Sequence, residues 1–188
     1  MKTLIFEGIA TSGKSTITNY LVKSLKDEMS IELATEEQTH SPIMAKRSEL
    51  NIVFFKDLIN KLALKRPNLL IFDRLYITQA YRAKSNLTEY SSTEDALMSS
   101  SPHTVVLRIN EGAVARRIKA ASEHREQRWL EYVKTKGSSF EEIAEDYINQ
   151  QRGLLRLVEQ SKIPYTVFDT TNHDYGTIAE DILKIIRK

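Results

Sequence analysis

Short apolar runs alternate with longer segments of helical period along the 188 residues. The runs at Thr3–Phe6, Ile31–Thr35, Leu69–Phe72, Thr104–Ile109 and Tyr165–Phe168 read as strands. Runs of this kind, separated by helices, are the pattern of a parallel sheet covered on both faces. Between the first two, Ile17, Leu21 and Leu25 recur every four residues while Lys23 and Lys26 fall on the other side, which predicts an amphipathic helix. The stretch Pro42–Leu64 carries Ile52, Phe55, Leu58, Ile59 and Leu62 and stops before the Pro67-Asn68 breaker. Further helices are predicted over Glu111–Ala121, Phe140–Leu157 and Thr177–Ile186. The second of these opens on Ser138 or Ser139 followed by Glu141 and Glu142, an N-cap with first-turn acids. Ser85–Ser101, rich in serine and asparagine, reads as a loop with one short helix, and Ser122–Gly137 as a polar, charge-dense segment. Segments of this length are either lids or solvated connectors.

Composition sharpens the picture by exclusion. With 41% hydrophobic and 28% charged residues the chain has the make-up of one globular domain, long enough to bury roughly 70% of the surface its unfolded form exposes. It has no cysteine, which removes disulfides, thiolate zinc sites and a thiol nucleophile, and fits a reducing cytosol. Lys plus Arg number 27 against 25 Asp plus Glu, so bulk charge does not hold the protein to nucleic acid, and any basic function must be local. No apolar run reaches the length of a membrane span, and Met1–Phe6 passes into glycine and lysine, unlike a secretory signal. The expectation is a cytoplasmic protein without nucleic-acid or membrane partners.

The first strand is followed at once by Gly8-Ile9-Ala10-Thr11-Ser12-Gly13-Lys14-Ser15-Thr16, the G-x-x-x-x-G-K-[ST] pattern, leading into the first helix. The glycines let successive N–H groups converge on one anion, and the helix N-terminus adds its partial positive charge there. Gly8, Ala10, Thr11, Ser12, Gly13, Lys14, Ser15 and Thr16 are therefore the candidate ATP-binding residues. Lys14 is placed at the β- and γ-phosphates and Ser15 at Mg²⁺. These features predict a P-loop α/β three-layer sandwich, with a five-stranded parallel sheet, helices on both faces and a lid at about 122–137, as one domain over 1–188.

A phosphate loop leaves open whether the γ-phosphate goes to water, to an acceptor or nowhere. The Asn-Lys-x-Asp loop of a GTPase is missing; Asn172-His173-Asp174 lacks the lysine. Asp73 and Arg74 end the third strand, where ligands sit in open α/β sheets. Asp73 is a candidate for Mg²⁺ or for orienting the nucleophile, and Arg74 for gripping an acceptor; the alternative is a simple ion pair capping the strand. The second strand ends at Glu36 and Glu37, of which Glu37 is favoured as acceptor-binding or catalytic carboxylate. Arg117, Arg125 and Arg128 bracket the expected lid and suit the charge that spreads over a phosphoryl group in flight; solvated helix faces are the other reading. Phe55 and Tyr81 are candidates for stacking a base, against the alternative of core packing.

Taken together, Phe6-Glu7-Gly8 before the loop, Thr35-Glu36-Glu37, Asp73-Arg74 with Thr78, Ala80 and Tyr81, the arginine-bearing lid, the long helix over Asp146–Leu157 and Phe168-Asp169-Thr170-Thr171 resemble the thymidylate kinase-like nucleoside and nucleotide kinases over nearly the whole chain. The resemblance implies ATP as donor, Mg²⁺, a nucleoside monophosphate as acceptor, a pyrimidine deoxynucleotide in the nearest reading, and a homodimer. Ala10 stands where thymidylate kinases usually carry an acid, and without it the loop is equally similar to that of deoxynucleoside kinases, whose base is a glutamate after the second strand. Three functions follow: a nucleotide kinase, a deoxynucleoside kinase acting on a 5′-hydroxyl, and a non-catalytic ATP-binding regulatory module.

Overall fold

A computed structural model describes residues 1–40 and 48–187. Its centre is a sheet of five strands, β1 (Lys2–Gly8), β2 (Ile31–Ala34), β3 (Leu69–Asp73), β4 (Pro102–Arg108) and β5 (Tyr165–Asp169). All neighbouring pairs are parallel, in the order β2-β3-β1-β4-β5. β1 and β3 are central, so their carboxyl ends, Gly8 and Asp73, lie side by side where the strand order reverses.

Side-chain alternation explains why the strands read as unbroken apolar runs. Ile5, Leu70, Phe72 and Val106 point to one face and pack with α3 (Ser48–Ala63), α4 (Tyr76–Ala83), α5 (Ser91–Met98) and α8 (Phe140–Val158). Leu4, Phe6, Leu69, Ile71, Val105 and Leu107 point to the other and pack with α1 (Lys14–Leu25) and α9 (Tyr175–Arg187). β1, β3 and the middle of β4 are thus buried on both faces, whereas the edge strands β2 and β5 stay partly exposed. A third, smaller core joins α6 (Glu111–Ser122), α7 (Gln127–Lys134) and the first half of α8 through Val114, Ile118, Val133, Ile143 and Tyr147. Through it the segment 122–137 is fixed to the body.

The elements depart from the sequence expectation in three places. Ser85–Ser101 is not a loop: a 3₁₀ turn at Leu87–Tyr90 runs into α5, and Leu87, Tyr90 and Leu97 are wholly buried. Asn86 and Glu89 form a capping box at its start, while three spaced apolar residues carry the packing. Glu36–His40 forms a short helix, α2, straight after β2, and the helix predicted from Pro42 is described only from Ser48, as α3; its first residues, 42–47, lie outside the described residues. The polar segment at 122–137 contains α7, whose single buried side chain, Val133, is too little for a periodic signal. Among the described residues no helix is long and apolar enough to cross a membrane.

Candidate active site

The phosphate loop is built by backbone geometry that only this glycine spacing permits. Gly8 has φ 149°, and a Cβ there would lie 2.5 Å from the Leu107 carbonyl oxygen. Gly13 has φ 93°, and a Cβ there would run into the Tyr175 ring at 2.2 Å. Helix α1 then starts at Lys14 with no side-chain cap and no acid in its first turn, leaving its N-terminal amides and dipole to an outside anion. Ser12 Oγ and Thr11 Oγ1 are buried without a hydrogen-bond partner in the same loop. Lys14 arches back over it, donating to the carbonyls of Gly8 and Ile9 at 3.2 Å each. Burial, with Arg74 nearby, lowers the Lys14 ammonium to about 8. Ala10, Thr11, Gly13, Lys14, Ser15 and Thr16 all line one cavity of about 1030 Å³, at the upper end of what a single small ligand needs.

Asp73 does not line that cavity but is electrostatically coupled to Lys14, with one carboxylate oxygen, Oδ1, buried and unpartnered. Burial raises its pKa and Lys14 pulls it back down. An orphaned carboxylate oxygen here and the exposed Ser15 hydroxyl on the cavity wall are a donor set that fits a hard divalent cation completed by water and phosphate oxygens. Among the described residues no cluster of three or more acidic or histidine side chains forms a protein-only cage.

Beside the loop lies a second arrangement centred on Arg74. Its backbone sits in the left-handed region at φ 65°, unusual for a side chain of this size, and is held there from several sides. Its N–H donates to the Phe6 carbonyl at 2.9 Å, and its guanidinium donates to Gly8 O at 2.6 Å and to Thr78 Oγ1 at 3.4 Å. Glu7, fully buried, accepts from the N–H groups of Leu75 and Thr78 and from the Thr78 hydroxyl, and so pins the start of α4. Burial pushes the Glu7 carboxyl up, and these donors and Arg74 oppose it. Glu36 approaches Arg74 Nε at 2.8 Å and Arg82 at 3.6 Å. Burial would raise the Glu36 carboxyl, but Arg74 and Lys14 win and hold it at about 2.

Two further side chains complete this wall. His40 is 7% exposed; its Nδ1 lies 2.9 Å from Thr39 Oγ1 and its Nε2 is buried without a partner. Burial, with Arg82 and Arg74 close by, holds its imidazole at about 3, so the ring is neutral. Tyr147 reaches in from α8 with its hydroxyl also buried and unpartnered, and burial raises that phenol well above its ordinary range.

The expected residues divide accordingly. Ala10, Thr11, Gly13, Lys14, Ser15 and Thr16 of the loop come together with Arg74, Arg125 and Arg128 around the cavity, while Gly8 and Ser12, both buried, lie off its lining. Glu37, favoured from the sequence, lines the cavity but is exposed; Glu36, one residue earlier, is the carboxylate paired to Arg74, because the first turn of α2 directs it there. Arg117 is no free lid arginine: it is 6% exposed and donates to the carbonyls of Thr11 and Thr170 and to the Tyr175 hydroxyl, tying the phosphate loop to the turn after β5. Arg125 rests on the Trp129 ring at 5.6 Å and is exposed. Phe55, expected to stack a base, is instead wholly buried in the core against Phe54 and Tyr90 and does not line the cavity. Tyr81 likewise lies off the cavity, its ring over Gly153, where a Cβ would come within 2.4 Å. Glu7, Glu36 as the paired acid, His40, Arg82 and Tyr147 were not singled out from sequence. Only Glu7 and Glu36 carried a signal, as acids at strand ends beside the motifs.

No protein-family model matches the sequence, and no curated protein matches it. Solved structures do match over nearly the whole chain. The YorR protein from Bacillus subtilis, in complex with phosphorylated GDP, superposes with a TM-score of 0.71 at 18% identity, covering 99% of this chain and 96% of that one. Deoxyadenosine kinase from M. mycoides, with dCMP and dCDP bound, gives 0.57 at 19% identity over 98% of each chain. Thymidylate kinase from Candida albicans gives 0.53 at 16% identity, covering 99% of this chain and 91% of that one. The fold is the one these P-loop nucleotide and nucleoside kinases share.

Proposed function

We propose that this protein is an ATP- and Mg²⁺-dependent kinase that transfers the γ-phosphoryl group to a nucleoside monophosphate, a pyrimidine deoxynucleotide in the nearest reading. The observation that carries it is charge around one space. Lys14, Arg74, Arg82, Arg116, Arg117, Arg125 and Arg128 line the cavity against three carboxylates, Glu36, Glu37 and Glu126. That excess suits two phosphorylated ligands meeting end to end, and phosphoryl transfer is catalysed almost wholly by positioning and charge of this kind.

The loop amides, Ser12 and Lys14 hold the donor phosphates. Ser15 and Asp73 would hold Mg²⁺, which when bound neutralises charge on the β- and γ-phosphate oxygens. Arg74 and Arg82, oriented by Glu36, receive the acceptor phosphate in line with the donor, and Arg125 and Arg128 close over the group in flight from α7 and its N-terminal side. An acceptor phosphate is already ionised and needs no base. A carboxylate held at about 2 is a poor one, so Glu36 orients the arginines rather than taking a proton.

The test is an ADP-release assay with ATP, Mg²⁺ and matched nucleosides and monophosphates, with Lys14→Met as blank. Turnover with a monophosphate and not its nucleoside is expected. Turnover with the nucleoside alone would overturn the acceptor assignment and make Glu37, on the cavity wall, the candidate base for a 5′-hydroxyl. Silence across the panel, with ATP still bound, would favour the regulatory module.

A further inference from the structure

His40 sits where the chemistry just described has no use for it. It lines the cavity, near enough to Arg82, Arg74 and Glu36 to feel their charge, with Nε2 buried and unpartnered. A polar atom withdrawn from water with nothing to bond is costly to leave so, and a ligand that meets it recovers that cost.

The neighbours of Nδ1 decide what Nε2 can bond to. The Thr39 hydroxyl has one proton and lies 3.1 Å from the Asp73 carbonyl oxygen and 3.3 Å from those of Thr35 and Glu36, all of which can only accept. We assign its proton to these carbonyls, so that its oxygen, 2.9 Å from Nδ1, accepts the Nδ1 proton of His40, an assignment the ¹⁵N measurement below checks. A neutral ring with the proton on Nδ1 leaves Nε2 as a bare lone pair. The surrounding guanidiniums keep the ring from taking a second proton.

Resting on the kinase reading above, we propose that His40 Nε2 is a specificity-determining hydrogen-bond acceptor that reads an N–H or O–H donor on the uncharged part of the phosphate acceptor, its base or its sugar. A phosphate oxygen carries no proton at neutral pH and would meet a lone pair with a lone pair, so Nε2 rejects the phosphate end and leaves it to Arg74 and Arg82. The Tyr147 hydroxyl, also orphaned on this cavity, adds a second polar contact for the same moiety. The arginines and His40 thus divide the acceptor by chemistry: the anion goes to the guanidiniums and a donor-bearing edge to Nε2.

The test compares wild type, His40→Phe and His40→Gln on the acceptor found in the nucleotide panel and on two analogues, one N-methylated on the base and one lacking a sugar hydroxyl. Wild type should lose about 10- to 100-fold in kcat/KM on one of them, and which one assigns the donor to base or sugar. His40→Phe should treat parent and that analogue within about 3-fold of each other, with ATP affinity unchanged, and His40→Gln should restore part of the discrimination. Wild type that tolerates both analogues, or His40→Phe that keeps full discrimination, overturns the inference while the kinase reading stands. A wild type that turns over no member of the panel overturns both. A separate measurement needs no turnover: ¹⁵N spectra of histidine-labelled wild type should show His40, identified by its loss in His40→Gln, with the proton on Nδ1 and a bare Nε2. A protonated Nε2 at neutral pH overturns the inference.

Discussion

The two sides of the cavity are made by different means. On the donor side the loop's shape comes from backbone: two glycines in the left-handed region, an uncapped helix start, and Lys14 and Arg117 bonded to main-chain carbonyls. Around Arg74, side chains from α2, β3, α4 and α8 converge. Here the unpartnered atoms, His40 Nε2 and Tyr147 Oη among them, belong to side chains from separate elements, whereas Thr11 Oγ1 and Ser12 Oγ lie within the loop itself. A backbone-built site binds what every member of a fold binds, because the backbone is the fold. A side-chain-built site can be changed one residue at a time, and the orphaned atoms mark where a particular ligand is selected.

The largest expected effect tests the donor side. Lys14→Met should lower turnover by about 10³-fold or more while leaving the melting temperature near wild type, since the loop's shape rests on its glycines; ADP release and thermal melting check both halves. Next, Glu36→Gln should cost about 10²-fold in kcat/KM, because buried Arg74 loses its anion, whereas Glu37→Gln should stay within about 3-fold. Equal losses would erase the distinction between these neighbouring acids.

A smaller effect separates the arginines. Arg128→Ala should lower kcat about 10-fold with little change in ATP affinity, as for a group acting on the phosphoryl in flight. Arg117→Ala should instead weaken ATP binding and lower the melting temperature, as for a tether of the loop. The smallest is a pH effect. His40 is held at about 3 in the folded protein, below its ordinary 6.5, so the unfolded chain binds the extra proton. Its contribution is therefore intact above about 6.5 and lost as pH falls towards 3; Glu36, ordinarily 4.5 and held at about 2, adds its own loss only below about 4.5. Between pH 7 and pH 5 wild type should lose up to about 2 kcal/mol more stability than His40→Gln, measured by urea unfolding.

The acceptor side also shows why aromatic residues mislead a reader of sequence. Phe55 and Tyr81 have the size to stack a base, yet Phe55 fills the core and Tyr81 packs on Gly153, because a large ring beside an apolar face gains more from burial than from a wet cavity. Tyr147, at a helical position indistinguishable by spacing from core, reaches the cavity, as do Trp129, Tyr132 and Tyr175. The choice between Glu36 and Glu37 turned on about 100° of helical phase in α2, a helix too short to announce itself.

What the sequence determined by itself was everything local in the chain: five apolar runs, the helices of strong period, and a phosphate loop whose nine residues contain their own geometry. The positions of Asp73 and Arg74 followed as well, since a strand end in a parallel sheet is a place in sequence as much as in space. Only the tertiary structure decided which carboxylate meets Arg74, that Arg117 is a tether, that Leu87, Tyr90 and Leu97 are core, and that His40 Nε2 is buried without a partner. Each of these depends on side chains brought together from distant parts of the chain. Hydrophobic period records which way a residue faces and carries no trace of what it will face.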